Sequence, residues 1–276
     1  MPKLTDRPVP MTTAVAAWII NGWKIKTRRP LVLKGSHLID RLATREEFVA
    51  SGNRRLSAKE ALDHVYVRLT DGTFHGIPAP LGGPGSRLWV REPAKLVAVD
   101  DGGAVVGGAG KEAAVEIEYL SDGVHAWVPY PARLAPLKVG HGLPNGCYRE
   151  ASRIKLEIVS VCLERLQDIT AQDCWNEGIR IAIADGGMVY PGFSSPACNA
   201  YLNRFRDLWE SIYGVGEFER AQWVWVYEFK SVGYGKPGMP DTVANEMTSM
   251  LAKTAKDVLL AKEHADHQNC LEIENA

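Results

Sequence analysis

The densest chemistry in the chain lies in one short run, Asn21-Gly22-Trp23-Lys24-Ile25-Lys26-Thr27-Arg28-Arg29, which gathers four cationic side chains and a hydroxyl directly behind an apolar segment. An extended run alternates its side chains, so Lys24 and Lys26 share one face while Ile25 and Thr27 share the other. Cations crowded in this way oppose one another's protonation, and Lys24, flanked by Lys26, Arg28 and Arg29, is expected to have a lowered pKa. Two uses of such a face stay open: a site for an anion, or a solvated edge strand whose lysines guard against aggregation.

A second concentration is Ser86-Arg87-Leu88-Trp89-Val90-Arg91-Glu92, where alternation puts Arg87, Trp89 and Arg91 on one face and Leu88, Val90 and Glu92 on the other. Two arginines beside an indole form an anion-and-ring surface. The same pattern also arises when arginines simply pack over a tryptophan. The preceding Leu81-Gly82-Gly83-Pro84-Gly85 loop lacks the Lys-Ser/Thr ending of a phosphate-binding loop and precedes a strand.

The elements that must position these residues follow from periodicity. Val15, Trp18, Ile19 and Ile20 predict a helix over Ala14 to Ile20, closed by Gly22. Ahead of it, residues 1–13 read as a flexible, Pro-rich lead. After it, Leu31 to Leu33 reads as a short buried strand, Thr44 to Val49 as a helical turn, and Ser57 to His64 as a short helix behind a capping box. Val65 to Leu69 and Thr73 to Ile77 flank Asp71-Gly72 as a hairpin. Residues 99–110 read as a flexible excursion, Val115 to Tyr119 and Ala126 to Val128 as strands, and Pro129 to Gly146 as a long irregular loop. Arg153 to Leu163 alternates as a long strand. Thr170 caps a helix of Ala171 to Glu177 that Gly178 closes, Tyr201 to Tyr213 is amphipathic, and Trp223 to Phe229 is a buried strand. A linker from Gly233 to Pro240 precedes a last helix, Thr242 to His264. Irregularly spaced strands with hairpin signals and few helices predict an α+β fold, a mostly antiparallel barrel.

Composition bounds the rest. A chain of 276 residues holds one large or two small domains. Its net charge of −1 hides an asymmetry, with +7 over residues 1–92 and −8 over the remainder. A basic half suits an anionic ligand, whereas the whole does not suit indiscriminate nucleic-acid binding. No apolar run reaches about 18 residues, and Pro2, Asp6 and Pro8 interrupt any signal peptide, so the expectation is the cytoplasm, without membrane contact. Cys147, Cys162, Cys174, Cys198 and Cys270 are scattered and predict free buried thiols, not a disulfide or metal framework. Of the histidines only His264 and His267, with Asp266, stand at metal-like spacing, within a tail that reads as solvated. No metal or cofactor is expected.

Four segments in this order resemble phage and prophage members of the ASCH family: Asn21 to Arg29; Pro84 to Glu92; Arg149 to Ile154 with Glu164 to Ile169; and Trp223 to Phe229. The resemblance spans about Ala14 to Lys230. It implies a PUA-like β-barrel over residues 14–232, from which this chain departs by a long loop insertion at about 93–148, with residues 233–276 as a linker and helical tail outside it. It further implies a cleft that binds RNA, a nucleotide or a modified base, in a bacterial host cell. One branch of the family removes the acyl group from acetylated cytidine, using a lysine and threonine in a Gly-x-Lys-x-x-Thr pattern and a later glutamate. Gly22, Lys24 and Thr27 match that pattern, and Glu177 ahead of Gly178 is the positional match for the glutamate.

The reading placed first is a binder of RNA or a modified nucleotide. Lys24, Lys26, Arg28, Arg29, Arg87, Arg91 and Arg149 would meet phosphates, and Trp23, Trp89 and Tyr148 would stack on bases. The alternative is an enzyme acting on a nucleobase amide or a phosphodiester, in which Thr27 attacks, a neutral Lys24 takes its proton and Glu177 orients the lysine. A third is an interaction protein whose acidic tail, residues 242–264, contacts a second copy or another protein.

Overall fold

The computed structural model describes residues 6–32, 38–53, 56–57, 61–108, 113–182, 187–191, 194–220 and 223–234. The fold is α+β and built mostly of strands. Its centre is a five-stranded sheet in the order β1-β6-β12-β15-β2, comprising Asp6–Pro10, Arg87–Arg91, Ile154–Arg165, Trp223–Tyr234 and Lys26–Pro30. The long strands β12 and β15 pair antiparallel through a bulge, and β1 joins β6 in parallel. Among the described residues β1 and β2 stand at the two edges of this sheet, and the sheets do not close into a barrel.

Alternation along these strands sorts the chemistry. Leu88, Val90, Leu156, Ile158, Trp225, Tyr227 and Phe229 turn to one face. They are buried there with Val15, Ala16 and Ile19 of helix α1 (Thr13–Ile20) and with Ile39, Val67 and Leu69. The last three belong to a small sheet of β3 (Ile39–Leu42), β4 (His64–Leu69) and β5 (Phe74–Pro78). Val224 and Val226 turn the other way and join a second core under helices α3 (Ala171–Asn176) and α4 (Ser195–Tyr213). Helix α2 (Arg45–Ala50) carries the capping box of Thr44 and Glu47.

The insertion is not a loop. It folds as a three-stranded sheet, β10-β9-β7, with its own core of Leu96, Val115, Ile117, Tyr119, Val128 and Tyr130. The strands are β7 (Ala94–Val99), β9 (Ala113–Tyr119) and β10 (His125–Tyr130), and the short β8 (Val105–Val106) pairs with β11 (Leu137–Lys138). Its junction with the main sheet is a buried ionic cluster. Arg153 donates to both carboxylate oxygens of Glu92 at 2.9 and 3.0 Å and to Asp122 at 2.8 Å, with the guanidinium carbon 3.9 Å from the Tyr119 ring centre.

Three further expectations are corrected. Residues 6–10 of the lead are a strand, because β1 lies on an edge where Pro8 and Pro10 need donate no ladder bond. Leu31 to Leu33 is no buried strand within its described part, since Val32 is 84% exposed. Cys162 is exposed and Cys198 half-buried, while Cys147 and Cys174 are buried as expected. The tail from 235 onward, with the helix, partner surface and histidines expected there and Cys270, lies outside the described residues, as do residues 58–60 of the helix predicted at 57–64; Ala61 and Leu62 are helical, and His64 already belongs to β4. Among the described residues no helix is long and apolar enough to cross a membrane.

Candidate active site

Two chain reversals bring Lys24 and Glu177 together. Helix α1 ends at Asn21, and Gly22 takes φ +69°. The N–H groups of Trp23 and Lys24 then both donate to the Trp18 carbonyl, at 2.8 and 3.2 Å, which turns the chain back across the helix end. On the other side, Thr170 and Asp173 form a capping box that starts α3, and Glu177 is its C-cap. The backbones of Lys24 and Glu177 meet in an isolated antiparallel bridge, and the Ile25 N–H donates to the Asn176 carbonyl at 2.8 Å.

Side chains complete the junction. Lys24 Nζ donates to Glu177 Oε2 at 2.5 Å and to the Glu177 carbonyl at 3.0 Å. Arg28 donates to the other carboxylate oxygen, Oε1, at 3.2 Å, and to Glu164 at 3.0 Å. Asp173 lies 3.1 Å from Lys26 and 3.5 Å from Arg28. The even-numbered cations Lys24, Lys26 and Arg28 all reach carboxylates. Thr27 and Arg29 stand opposite Tyr227 and Trp225 in the β2–β15 ladder.

Lys24, Thr27, Arg28 and Glu177 are 5%, 4%, 4% and 3% exposed, so charge here is held by partners and not by water. Burial pushes the Lys24 pKa down from its ordinary 10.5. The Glu177 carboxylate opposes that shift, while Arg29 and Arg28 add to it. For Arg28 burial also works against the charge, but Glu177, Asp173 and Glu164 outweigh it and hold the pKa above its usual value. Asp173 is held below the usual carboxylate range: burial opposes this, and the Thr170 hydroxyl, Arg28 and Lys26 prevail.

These residues floor a cleft of about 520 Å³, counting its open mouth. Lys24, Thr27, Arg28, Arg29 and Glu177 line it on the sheet side. Pro10, Met11, Thr12 and Val15 line a second side, and Phe205, Leu208, Trp209, Ile212 and Tyr213 of α4 form an apolar wall. The arrangement joins a buried lysine–carboxylate pair, a hydroxyl and an apolar slot, which is the equipment for proton transfer within a partly dehydrated pocket.

The other residues singled out in the sequence lie elsewhere. Arg87 and Arg149 line a separate groove with Asp6, Leu88, Glu150, Lys155 and Val232, where Arg149 pairs with Asp6 at 2.5 Å. Arg91 donates to the Pro144 carbonyl at 3.5 Å, and Trp89 is half-buried on the same strand. Tyr148 donates to the Pro129 carbonyl and packs edge-on against Tyr130 in the insertion core. Trp23 faces Arg180, whose guanidinium lies 3.6 Å from the Trp175 ring and donates to the carbonyls of Trp175 and Trp23. None of Trp23, Arg87, Trp89, Arg91, Tyr148 and Arg149 lines the Lys24 cleft.

Three contributors escaped the sequence reading: Glu164, Asp173 and Trp209. Asp173 stood in view as the third residue after a helix cap. Trp209 stood in view only as one apolar position of an amphipathic helix.

The junction also explains one glycine. Gly178 has φ +103°, and a Cβ there would stand 2.9 Å from Trp18 Cε3 and 3.1 Å from Lys24 Cβ. Gly178→Ala is expected to lower stability by about 1–3 kcal/mol through backbone strain, seen as a lower unfolding temperature, and to displace Lys24. Compared with known proteins, the chain matches no family model, no curated protein and no solved structure at a significant level.

Proposed function

We propose that the chain is a hydrolase that removes an acyl group from a nucleobase amide. The observation that carries this reading is the 2.5 Å contact of Lys24 with Glu177, buried in the cleft that Thr27 also lines. A neutral lysine amine has two N–H bonds and one lone pair. Its two donor contacts, to Glu177 Oε2 and to the Glu177 carbonyl, use the hydrogens and leave the lone pair to accept a proton.

In the proposed reaction Thr27 Oγ attacks the amide carbonyl carbon while Lys24 takes the hydroxyl proton. The C–N bond then breaks, and Lys24 returns that proton to the leaving nucleobase amine. Water hydrolyses the resulting ester on Thr27, with Lys24 again as base, releasing the carboxylate and restoring the hydroxyl. Glu177 holds Lys24 in place, and Arg28 holds Glu177. The resemblance to the acetylcytidine-cleaving branch of the ASCH family, carried by the four sequence segments, supports the same trio. A PUA-like relation is part of this proposal.

Charge supports an amide substrate over an RNA backbone. Lys24, Lys26 and Arg28 are matched by Glu164, Asp173 and Glu177, so three of the cations expected to meet phosphate already have partners. The test is acetate release from N4-acetylcytidine by the purified chain, alongside binding of a short labelled RNA at two salt concentrations. Acetate release with weak RNA binding is the expected result. Tight, salt-sensitive RNA binding without turnover would return the chain to the binding reading.

The base must be neutral to act, so activity is expected to rise with pH along a limb centred below 10.5. The stability sign agrees. The unfolded lysine keeps its proton to higher pH than the folded one, so this group's contribution rises with pH between the folded value and 10.5.

A further inference from the structure

We infer that Arg29 is a further catalytic residue of the cleft, donating hydrogen bonds to the oxyanion that forms when the acyl carbonyl is attacked. The inference rests on the proposed hydrolase reading and fills a role that Lys24, Thr27 and Glu177 leave open. Among the described residues four charged side chains line the cleft: Lys24, Arg28, Arg29 and Glu177. Lys24 and Arg28 share Glu177, and Arg28 also meets Glu164 and Asp173. Arg29 has no carboxylate partner among the described residues. Its Nη2 donates to the Pro10 carbonyl at 2.8 Å and lies 3.5 Å from Met11 Sδ. Pro10 and Met11 line the second side of the same cleft, so the guanidinium is held between that side and the sheet. Its Nε and Nη1 make no hydrogen bond among the described residues, and neither is enclosed by protein, in contrast to Arg28 Nε.

Two observations put this guanidinium near the reacting atoms. Thr27 and Arg29 stand two apart in β2, so their side chains leave the same face of the strand. Burial lowers the Lys24 pKa most, and of the two arginines that add to this, Arg29 acts more strongly than Arg28, although Arg28 holds the carboxylate that Lys24 shares. Attack by Thr27 Oγ converts the acyl C=O to C–O⁻ while Lys24 takes the hydroxyl proton. That developing charge is best met by donors already in place. Lys24 and Arg28 spend theirs on carboxylates, whereas Arg29 has Nε and Nη1 hydrogens to offer. As the C–N bond breaks, the electron pair returns from oxygen to re-form C=O, Lys24 protonates the leaving amine, and Arg29 keeps all its protons. The same oxygen is charged again when water attacks the ester.

The test is Arg29→Met, assayed on N4-acetylcytidine at a pH above the basic limb of both proteins. Removing Arg29 raises the Lys24 pKa, so that choice of pH keeps the base neutral in each. The expected result is a fall of about 10²–10³-fold in kcat with KM held within about threefold. Guanidinium ion added well below denaturing concentration is expected to restore part of the loss, and Arg29→Lys to retain more activity than Arg29→Met. If Arg29→Met does not fold, the kcat and KM of Arg29→Lys decide in its place. A rise in KM with kcat unchanged would make Arg29 a ground-state contact, and a loss of kcat that guanidinium does not restore would make it a strut between β2 and Pro10. Either overturns the inference and leaves the hydrolase reading standing. No turnover by the folded parent overturns both.

Discussion

Glu177→Gln is expected to lower turnover of the acylated nucleobase by at least about 10²-fold and stability by about 3–5 kcal/mol. The substitution keeps the shape and the backbone bridge to Lys24, so its effect reports charge. Glu177 answers two buried cations at once, Lys24 through Oε2 and Arg28 through Oε1. An amide can offer one oxygen, and its NH2 group must face one of the two cations. Glu177 also raises the Lys24 pKa against the effect of burial. Its loss therefore lowers that pKa further, and the acid limb of the residual activity is expected to move to lower pH. A pH–rate profile of the variant beside the parent, with thermal unfolding of both, checks all three effects. An unshifted limb would show that Lys24 is not the titrating base.

Arg153→Met is expected to destabilise the chain by about 3–5 kcal/mol, because it strands a carboxylate that is 0% exposed. For a chain of this size that is a fall of roughly 6–20 °C in Tm. Glu92 lies just past β6, Arg153 just ahead of β12, and Asp122 on the turn between β9 and β10. One guanidinium thus ties the inserted sheet to the main one. Replacing Glu92 and Arg153 together, by Gln and Met, is expected to cost less than Arg153→Met alone, since the stranded charge goes with its partner. Equal losses in the single and double variants would mean that packing on the Tyr119 ring, not charge, holds the junction.

The parts of the site that could be seen in the sequence are local ones. Gly22 ended α1 as expected, alternation placed Lys24 and Lys26 together, and Thr170 announced α3 by its hydroxyl. The carboxylates were hidden because they come from far along the chain: Glu164 and Asp173 lie 136 and 147 residues from the cations they bond. Alternation shows which side chains share a face and says nothing about what crosses from another element. Glu177 was reached only through the resemblance, and the structure places it against Lys24. The cations read as a basic cleft form an almost neutral one for the same reason.

The fold was misread where composition spoke louder than pattern. Pro8 and Pro10 argued for a loose lead, yet an edge strand tolerates them. Glycines and aspartates over residues 99–110 obscured the alternation of Ala94–Val99, whose Leu96 is buried under its own sheet. The strands expected at Val115 to Tyr119 and Ala126 to Val128 are present, and the unread third strand joins them over a second core.

The measurement that bears most directly on the central claim is single-turnover release of acetate from N4-acetylcytidine by the parent protein and by Lys24→Met, with folding matched by circular dichroism. The parent is expected to release acetate and the variant to lose about 10²–10⁴-fold, the range for removing a general base. Release at equal rates in both, or no release by a folded parent, would contradict it.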